Sequence, residues 1–437
     1  MEANHLTALT SLIDSSIQEI ISTYASVGQI VPTLDSVEPV LFDSLTINDV
    51  PERLTRAIQL VEAACTRLIY SVARPGTVLL SKAKSHMEIA CLNTVIYARI
   101  PDLLVDRPEG MHVSQLSELS EFTAGLDKLE RVMRFLASKH IFRQVKPGVY
   151  SHNRLSMKLL SKESISDAIT VAEDCLPASA QFRKMLTTPE GYTETAFHRA
   201  TGCDLFEYYG LPENKEKEER FQRSMLAWDE IYGIGYLGKV YPWAAQPTGT
   251  TLCDVGGGNG HVTMGIIKSH PHLKLVIQDR PAVVQIAREF WATDYPEALE
   301  EGRVDFIPLD FFKDTPVEGC DVYHLKNILH DWSDVECIAI LKNVRKAMKP
   351  SSRVIIQEIV IPKALNMDDP GVTPESHLPS WGPSEVNMYE YDILMMECLD
   401  AKERTLEEFV RLGSQSDLNF EKVYPAGDMG VIVFSPV

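Results

Sequence analysis

From Thr250 onward, short apolar segments alternate with amphipathic ones, and this alternation limits the possible folds more than any other feature of the sequence. Five apolar segments are predicted to be strands: Thr251–Val255, Lys274–Gln278, Arg303–Pro308, Asp321–Leu325 and Val354–Glu358. Helices are predicted between them, for example over Pro281–Trp291 and Val335–Met348. This order predicts an α/β fold, a parallel sheet with helices on both faces. The segments Glu421–Pro425 and Gly430–Ser435 are predicted to add an antiparallel hairpin at the sheet edge.

The N-terminal part of the chain is predicted to be mostly helical. Thr7–Tyr24 carries its leucines and isoleucines on one helical stripe. Ser81–Ile100 is predicted as a second helix that is stopped by Pro101. A third helix is predicted over Leu126–Ser138.

A winged helix is predicted around that third helix. A short helix starting at Val113 precedes it, and strands over 141–145 and 149–151 follow it as a small hairpin. Winged helices can bind DNA or can serve as packing and dimerisation modules. The helix carries Asp127, Lys128, Glu130, Arg131 and Arg134. Because this is a mixed face and not a basic stripe, we favour dimerisation.

The balance of charges excludes several classes of partner. The 437 residues include 42 Lys and Arg against 61 Asp and Glu, for a formal net charge of -19. Such a surface repels nucleic acids and anionic lipids. No apolar run approaches the roughly 18 residues of a membrane span, no leader segment is visible, and no CxxC pair suggests zinc. We therefore expect a cytoplasmic protein without nucleic acid, membrane or metal partners.

A glycine-rich turn, Asp254-Val255-Gly256-Gly257-Gly258-Asn259-Gly260, follows the first predicted strand and opens a helix. Glycines let the backbone pass close beneath a ligand and let the helix N-terminus face it. Their spacing differs from the G-x-G-x-x-G pattern of dinucleotide enzymes. The carboxylate of Asp254 suits a ligand that carries an ammonium group and would repel a pyrophosphate.

Two further carboxylates follow the second and third predicted strands. Asp279 is placed to accept hydrogen bonds from both hydroxyls of a ribose, although it could equally cap the helix that begins at Pro281. Asp310 could accept from an adenine amino group while Phe311 covers the ring. The sequence therefore predicts a nucleoside-containing ligand.

His330 follows the fourth predicted strand, and Glu358 ends the fifth. Ligand crevices in open parallel sheets lie at the carboxyl ends of the strands, so both side chains are expected to approach one crevice. A histidine with an ordinary pKa of about 6.5 is a suitable general base at neutral pH.

Together these motifs resemble the plant- and fungus-type small-molecule O-methyltransferases, the group that includes caffeic acid O-methyltransferase. The resemblance covers roughly residues 85–437 and is strongest over 250–360 and in Lys402-Glu403-Arg404-Thr405. The first 80 residues look more like those of fungal secondary-metabolite members. The resemblance implies a Rossmann-like methyltransferase sheet, S-adenosyl-L-methionine as cofactor and an intertwined homodimer built by the winged-helix part.

The resemblance also implies functions for particular residues. Nucleotide-site positions of the family fall on Gly256, Asp279, Asp310, Phe311 and Lys326, to which the glycine-turn argument adds Asp254 and Gly258. The catalytic histidine falls on His330, and the supporting glutamates fall on Glu358 and Glu403. We expect Glu358 to orient one ring nitrogen of His330 and Glu403 to brace the other side.

The acceptor is expected to be a neutral phenol, such as a polyketide-type intermediate. Large apolar or polarisable residues are assigned to its pocket: Phe221, Met225, Trp228, Met395 and Met396. The first three lie at i, i+4 and i+7 on one helix face, a spacing that ordinary core packing explains equally well. We expect a dimerisation domain over 1–160, a helical linker over 161–245 and a catalytic domain over 246–437.

Two other functions are compatible with parts of this pattern. One is a pericyclase or dehydratase of the same fold that binds the cofactor without methyl transfer, and the other is a winged-helix regulator that senses the cofactor. Retention of His330, Glu358 and Glu403 favours methyl transfer over the first. The acidic charge counts against the second.

Overall fold

The computed structural model describes residues 2–44, 50–189, 194–232, 236–362, 383–426 and 429–437. These residues form two compact units. The first holds the described residues up to 189 and Ala196–Ile231, and the second holds the described parts of Tyr232–Val372 and Ser384–Val437. Residues 164–189 and 196–231 therefore group with the N-terminal helices, while the three-domain division of the chain stays a prediction.

The first unit is mainly helical. Its helices are α1 (Glu2–Ser26), α2 (Leu41–Ser44), α3 (Glu52–Val72), α4 (Pro75–Ala83), α5 (His86–Tyr97), α6 (Ile100–Leu104), α7 (Val113–Leu119), α8 (Leu126–Ser138), α9 (Ser164–Leu186), α10 (Ala196–Thr201), α11 (Leu205–Gly210) and α12 (Lys215–Tyr232). Its strands are β1 (Met111–His112), β2 (Arg143–Lys146) and β3 (Val149–Ser151).

The second unit contains the large sheet. Its strands are β4 (Thr251–Val255), β5 (Lys274–Asp279), β6 (Val304–Pro308), β7 (Val322–Lys326), β8 (Arg353–Ile361), β9 (Arg404–Thr405), β10 (Leu418–Ala426) and β11 (Met429–Pro436). Its helices are α13 (Tyr236–Val240), α14 (His261–Ser269), α15 (Pro281–Asp294), α16 (Pro296–Glu300), α17 (Asp334–Ala347), α18 (Pro383–Leu399) and α19 (Leu406–Ser414).

The winged-helix outline predicted from the sequence is present in the first unit. Helices α7 and α8 precede the hairpin of β2 and β3, and β1 adds a third strand beside β3 that the sequence did not reveal. Gly148 turns the hairpin at a φ of +73°, and a Cβ there would lie 2.8 Å from Nε2 of His112. Because His112 caps α7, the glycine lets the hairpin close against the start of that helix.

The prediction of one continuous helix over Ser81–Ile100 was wrong. In the structure α4 ends at Ala83, α5 occupies His86–Tyr97, and Arg99 has a left-handed backbone with a φ of 55°. Pro101 lies in the first turn of α6, where its missing N–H costs nothing because that turn has no helical acceptor for it. The proline therefore begins a helix here and does not end one.

The sheet of the second unit confirms the predicted α/β fold. Among the described residues the strands run in the order β10-β11-β8-β7-β4-β5-β6, and β9 pairs with β8. Strands β4 to β8 are parallel, whereas β10 and β11 form an antiparallel hairpin at one edge. Buried strands of this kind are nearly continuous apolar runs, which is why the sequence revealed them.

The parallel strands place their carboxyl ends on one side of the sheet. Val255, Asp279 and Lys326 end β4, β5 and β7 there, at the edge where the sequence predicts the ligand crevice. Residues 364–383 are rich in Pro, Ser and Asp, a composition that predicts a loop, and they lie outside the described residues except for Pro383, which begins α18. None of the helices in the described ranges has the length and apolar character that a membrane crossing requires.

Candidate active site

The glycine-rich turn after β4 needs glycine for two physical reasons. Gly256 and Gly260 have φ values of +70° and +74°, which side-chain-bearing residues rarely adopt. A Cβ on Gly256 would lie 2.4 Å from Cδ1 of Ile328, and one on Gly260 would lie 2.3 Å from Cδ1 of Ile277. The turn is therefore held tightly against the segment that follows β7 and against β5.

Asp279 lies at the tip of β5 beside this turn. One carboxylate oxygen accepts from the backbone N–H of Gly258 at 2.9 Å, and the other accepts from Arg280 N–H at 2.7 Å. Burial raises the pKa of Asp279, and these hydrogen bonds oppose that shift. The carboxylate is thus fixed next to the glycine turn, as a ribose-binding group requires.

Asp254 has a different environment from the one expected of a ligand-binding carboxylate. Its side chain is buried, Oδ1 lies 2.9 Å from Nδ1 of His324, and Oδ2 accepts from the Thr263 hydroxyl at 2.8 Å. Both oxygens are engaged inside the second unit. The observed contacts give Asp254 a structural function in joining β4, β7 and α14, and its contact with a ligand stays a prediction.

Asp310 and Phe311 follow β6 at the same side of the sheet. Asp310 is partly exposed and forms an ion pair with Lys313 at 2.7 Å, which lowers the pKa of Asp310. The Phe311 ring packs edge-on against Trp332, with 6.1 Å between centroids. Phe311 Cε1 would lie 3.7 Å from a Cβ on Gly256, so the ring is close to the glycine turn.

His330 lies on a short 3-10 turn, Leu329–Asp331, that follows β7. It is 5% exposed. Its Nδ1 lies 2.7 Å from Oε1 of Glu403 and 3.8 Å from Oε2 of Glu358. The prediction that the two glutamates support opposite ring nitrogens was wrong, because both lie on the Nδ1 side.

Glu403 is the direct hydrogen-bond partner of His330, and Glu358 has another task. One oxygen of Glu358 accepts from the backbone N–H groups of Ile328 and Leu329 at 2.9 and 2.8 Å, which fixes the start of the turn. Oε2 of Glu358 and Oε2 of Glu403 are buried and have no hydrogen-bond partner in the described parts of the chain. On the other side of the ring, Nε2 lies 3.5 Å from Oδ1 of Asp331.

The carboxylates around His330 change its protonation. Burial favours the neutral imidazole, but the charges of Glu403, Asp331 and Glu358 outweigh burial and raise the pKa of His330 to about 10. Burial raises the pKa of Glu358 to about 7 and that of Asp331 to about 6. The carboxylates around the ring therefore favour the protonated imidazole, in contrast to the ordinary pKa expected from the sequence.

One ligand-capable atom from each of His330, Glu358 and Glu403 lies within 4.8 Å of the others. Such a set could in principle hold a metal ion. The direct contact between His330 and Glu403 is already that of an acid–base pair, and it explains their proximity without a metal.

Three residues around His330 were not assigned any function from the sequence. Tyr391 of α18 stacks on the imidazole with 6.0 Å between centroids and 25° between planes. Asp392 accepts from the backbone N–H of Glu403 at 2.9 Å. Arg404 binds the backbone on either side of His330. Only Arg404 had a sequence signal, its position next to Glu403 in the Lys402–Thr405 motif.

The residues assigned to the acceptor pocket lie on two helices. Phe221, Met225 and Trp228 are partly buried on α12, and Phe221 stacks on the buried ring of Tyr209 at 4.6 Å. On α18, Met395 is buried and Met396 is partly buried. Phe221 thus has a packing function within the first unit, and a common acceptor pocket stays a prediction. Lys326 is partly buried at the end of β7.

The sheet order, the glycine turn after its first strand and the acidic residue after its second define an S-adenosylmethionine-dependent methyltransferase. Residues 185–417 match the O-methyltransferase domain family, and residues 80–162 match the O-methyltransferase dimerisation domain. The chain therefore belongs to the O-methyltransferase family, as its motifs predicted, and it methylates a small molecule at oxygen. The dimerisation domain supports the predicted homodimer.

One curated relative supports this family, and two solved structures share the fold. The chain is 40% identical over 449 residues to "3-O-methyltransferase 2" of Phanerochaete chrysosporium. The alignment covers 99% of this chain and 98% of that protein. The mitomycin 7-O-methyltransferase structure has a TM-score of 0.70 at 23% identity, covering 83% and 98% of the two chains. A pericyclic reaction enzyme shares the fold, with a TM-score of 0.70 at 18% identity and coverage of 97% and 99%.

Proposed function

We propose that this enzyme methylates the hydroxyl of a neutral phenol and that His330 is its general base. The observation that carries the proposal is the contact between Nδ1 of His330 and Glu403 at 2.7 Å. Both glutamates occupy the Nδ1 side, and Asp331 lies 3.5 Å from Nε2, so we assign to Nε2 the acceptance of a proton from the methyl acceptor. An imidazole held in one tautomer by a carboxylate is a typical general base.

We assign cofactor binding to the turn and strand ends beside this histidine. At Gly258 no atom lies within 4 Å of the place that a Cβ would take, and Asp279 presents a fixed carboxylate next to this glycine. Oδ1 of Asn327, just after β7, is buried without a hydrogen-bond partner within the described residues. These features fit a nucleoside with hydroxyl and amino donors. Gly256, Gly258, Asp279, Asp310, Phe311 and Lys326 are the proposed contacts.

The chemistry requires a deprotonated acceptor. S-adenosylmethionine supplies an electrophilic methyl group on a positively charged sulfur. A phenol, with a pKa of about 10, is a weak nucleophile until it loses its proton. His330 takes this proton at Nε2, and Glu403 stabilises the imidazolium that results. The cationic sulfur of a bound cofactor would oppose the carboxylates around His330 and would favour the neutral imidazole.

The aromatic nature of the acceptor is supported by the residues proposed to contact it. Met395 and Met396 of α18 offer polarisable, apolar surface that suits a flat ring, and Met225 and Trp228 of α12 stay predicted contacts. The chain has a net charge of -19, which disfavours strongly anionic acceptors. The similarity to a protein named 3-O-methyltransferase 2 supports an oxygen as the methylated atom.

A labelled methyl-transfer assay tests this function. The purified enzyme is incubated with a panel of neutral phenols and S-adenosylmethionine carrying an isotopically labelled methyl group. We expect an O-methylated phenol and S-adenosylhomocysteine in equal amounts. Consumption of a substrate without S-adenosylhomocysteine would instead identify the pericyclase or dehydratase alternative. Methylation of aliphatic carboxylates but not of phenols would contradict the acceptor class.

A further inference from the structure

Arg404 directly follows Glu403 and is the first residue of β9. It is fully buried, with 0% of its side chain exposed. Its guanidinium donates to the backbone carbonyl of Leu329 at 2.7 Å and to that of Trp332 at 2.7 Å. It also binds Oδ1 of Asp334 through two nitrogens, at 3.1 and 2.9 Å. One cation thus reaches two carbonyls and one carboxylate at the same time.

The two carbonyls lie on either side of His330. Leu329 precedes it, and Trp332 directly follows the end of its 3-10 turn. At the start of the turn, Glu358 accepts from the N–H groups of Ile328 and Leu329. The turn is therefore held at its N–H groups by a carboxylate and at its carbonyls by a guanidinium.

Sheet pairing connects these two anchors. Strand β9 pairs with β8 in parallel, with Arg404 opposite Val360, and Glu358 lies two residues earlier on β8. Glu403 immediately precedes Arg404. The strand pair thus delivers the partner of Nδ1 and both anchors of the turn from one rigid element, so the position of the imidazole depends on it.

The energetic cost of burying Arg404 indicates a specific task. Removing a guanidinium from water costs several kcal/mol, and well-packed apolar residues often replace buried ion pairs without loss of stability. Arginine offers five donors in a fixed planar fork, which an apolar residue or lysine cannot reproduce. Because the guanidinium binds the carbonyls around His330, its burial is better explained by the positioning of the turn than by the stability of the fold.

We propose that Arg404 is a positioning residue for methyl transfer: it fixes the turn so that Nδ1 of His330 stays on Glu403 and Nε2 faces the acceptor. This inference rests on the proposed role of His330 as the base. It assigns to Arg404 no contact with the substrate or the cofactor. Arg404 acts through the backbone of the turn.

The test compares Arg404→Met with Arg411→Met. Arg411 also contacts Asp334, at 3.1 Å, but it is 51% exposed, and no described hydrogen bond joins it to the turn. We expect Arg404→Met to lower kcat about tenfold or more, because small misplacements of a catalytic group are costly. The acceptor KM and the cofactor Kd should stay near wild type, and Arg411→Met should leave all three unchanged.

Two further readouts separate positioning from stability. Loosening the contact with Glu403 weakens the charge that favours protonated His330, so the rise of kcat with pH should move to lower pH in Arg404→Met. The proton NMR signal of Nδ1–H, identified by its loss in His330→Ala, should broaden or shift. Arg404→Lys, which keeps the charge but not the fork, should restore part of kcat.

The outcomes that overturn the proposal are specific. A folded Arg404→Met enzyme with wild-type kcat, pH profile and NMR signal would do so. If Arg404→Met does not fold, Arg404→Lys is the deciding variant. It should lower kcat and move the pH profile in the directions expected for Arg404→Met, but by smaller amounts. Wild-type kcat and a wild-type pH profile in Arg404→Lys would then reject the proposal. If His330→Ala retains full turnover, the proposed base fails, whereas the NMR signal still reports whether Arg404 positions the ring.

Discussion

Oε1 of Glu403 lies 2.7 Å from Nδ1 of His330, although the two residues are 73 positions apart in the chain. This contact decides which ring nitrogen is available to an acceptor, and it supplies the nearest of the negative charges that raise the pKa of His330 to about 10. The same carboxylate therefore orients the base and controls the pH at which it can work.

Replacing Glu403 with Gln should move the pH dependence of the reaction. A general base acts in its neutral form, so below its pKa the rate rises with pH. Since Glu403 raises the pKa of His330, removing its charge lowers that pKa, and the rise in rate moves to lower pH. The maximal kcat should also fall, because the imidazolium loses its partner. Rates across the neutral and alkaline range at saturating substrates measure both effects.

Glu358→Gln is the matched comparison. The Oε2 atom of Glu358 is 3.8 Å from Nδ1, and glutamine retains an oxygen that can accept from Ile328 and Leu329. The shift to lower pH should therefore be smaller than in Glu403→Gln. A Glu403→Gln profile that superimposes on that of wild type would show that this carboxylate does not control the base.

Replacing His330 with Ala should separate chemistry from binding. The side chain is buried among carboxylates and has no proposed contact with the cofactor. We expect turnover to fall about 100-fold or more while the cofactor Kd stays near wild type. Calorimetry and single-turnover rates provide the two numbers. Equal turnover in variant and wild type would reject His330 as the base.

The fold and the site differ in how far the sequence could predict them. Parallel strands such as Thr251–Val255 are buried on both faces, so a local apolar run identifies them. The glycine turn and Asp279 are also local signals, because each follows directly from a strand end. Pro101 misled the prediction because proline occurs both after helices and in their first turn, and only the surrounding backbone distinguishes the two.

The arrangement around His330 depends on contacts between distant segments. Glu403 was assigned through a family resemblance, yet its side of the ring could not be inferred, since that follows from the pairing of β8 with β9. Tyr391 and Asp392 carry no motif and reach the site only because α18 packs there. The raised pKa of His330 is likewise a sum of burial and three charges that only the folded chain brings together.

Asp279→Ala should weaken cofactor binding. The carboxylate is held beside Gly258, where it is proposed to accept from two ribose hydroxyls, and loss of a charged acceptor costs about 1–3 kcal/mol. Calorimetric titration with S-adenosylmethionine measures the change. The conservative Asp279→Asn keeps one acceptor and should lose less affinity. Unchanged affinity in the alanine variant would remove Asp279 from the site.

Removing residues 1–160 should cause aggregation. The deletion takes away nearly all of the dimerisation domain at 80–162, including α5, which packs against α9 in the first unit. The apolar residues of α9 would then face water, and exposed apolar surface promotes association. Size-exclusion chromatography with light scattering should show a dimer for the full chain and large aggregates for the truncated one. A soluble, active, monomeric truncation would contradict the prediction.

Met225→Ala and Met396→Ala should raise the acceptor KM and leave the cofactor Kd unchanged. Both methionines are only partly buried, so shortening either one removes contact surface for a ring without opening a large cavity in a core. Met348→Ala is the control, because Met348 is buried in the hydrophobic core of the second unit. That variant should lose stability, by about 2–5 kcal/mol for a methionine truncated in a core, and keep its KM. If both pocket variants handle the native acceptor like wild type while Met348→Ala behaves as expected, the acceptor does not bind at these methionines.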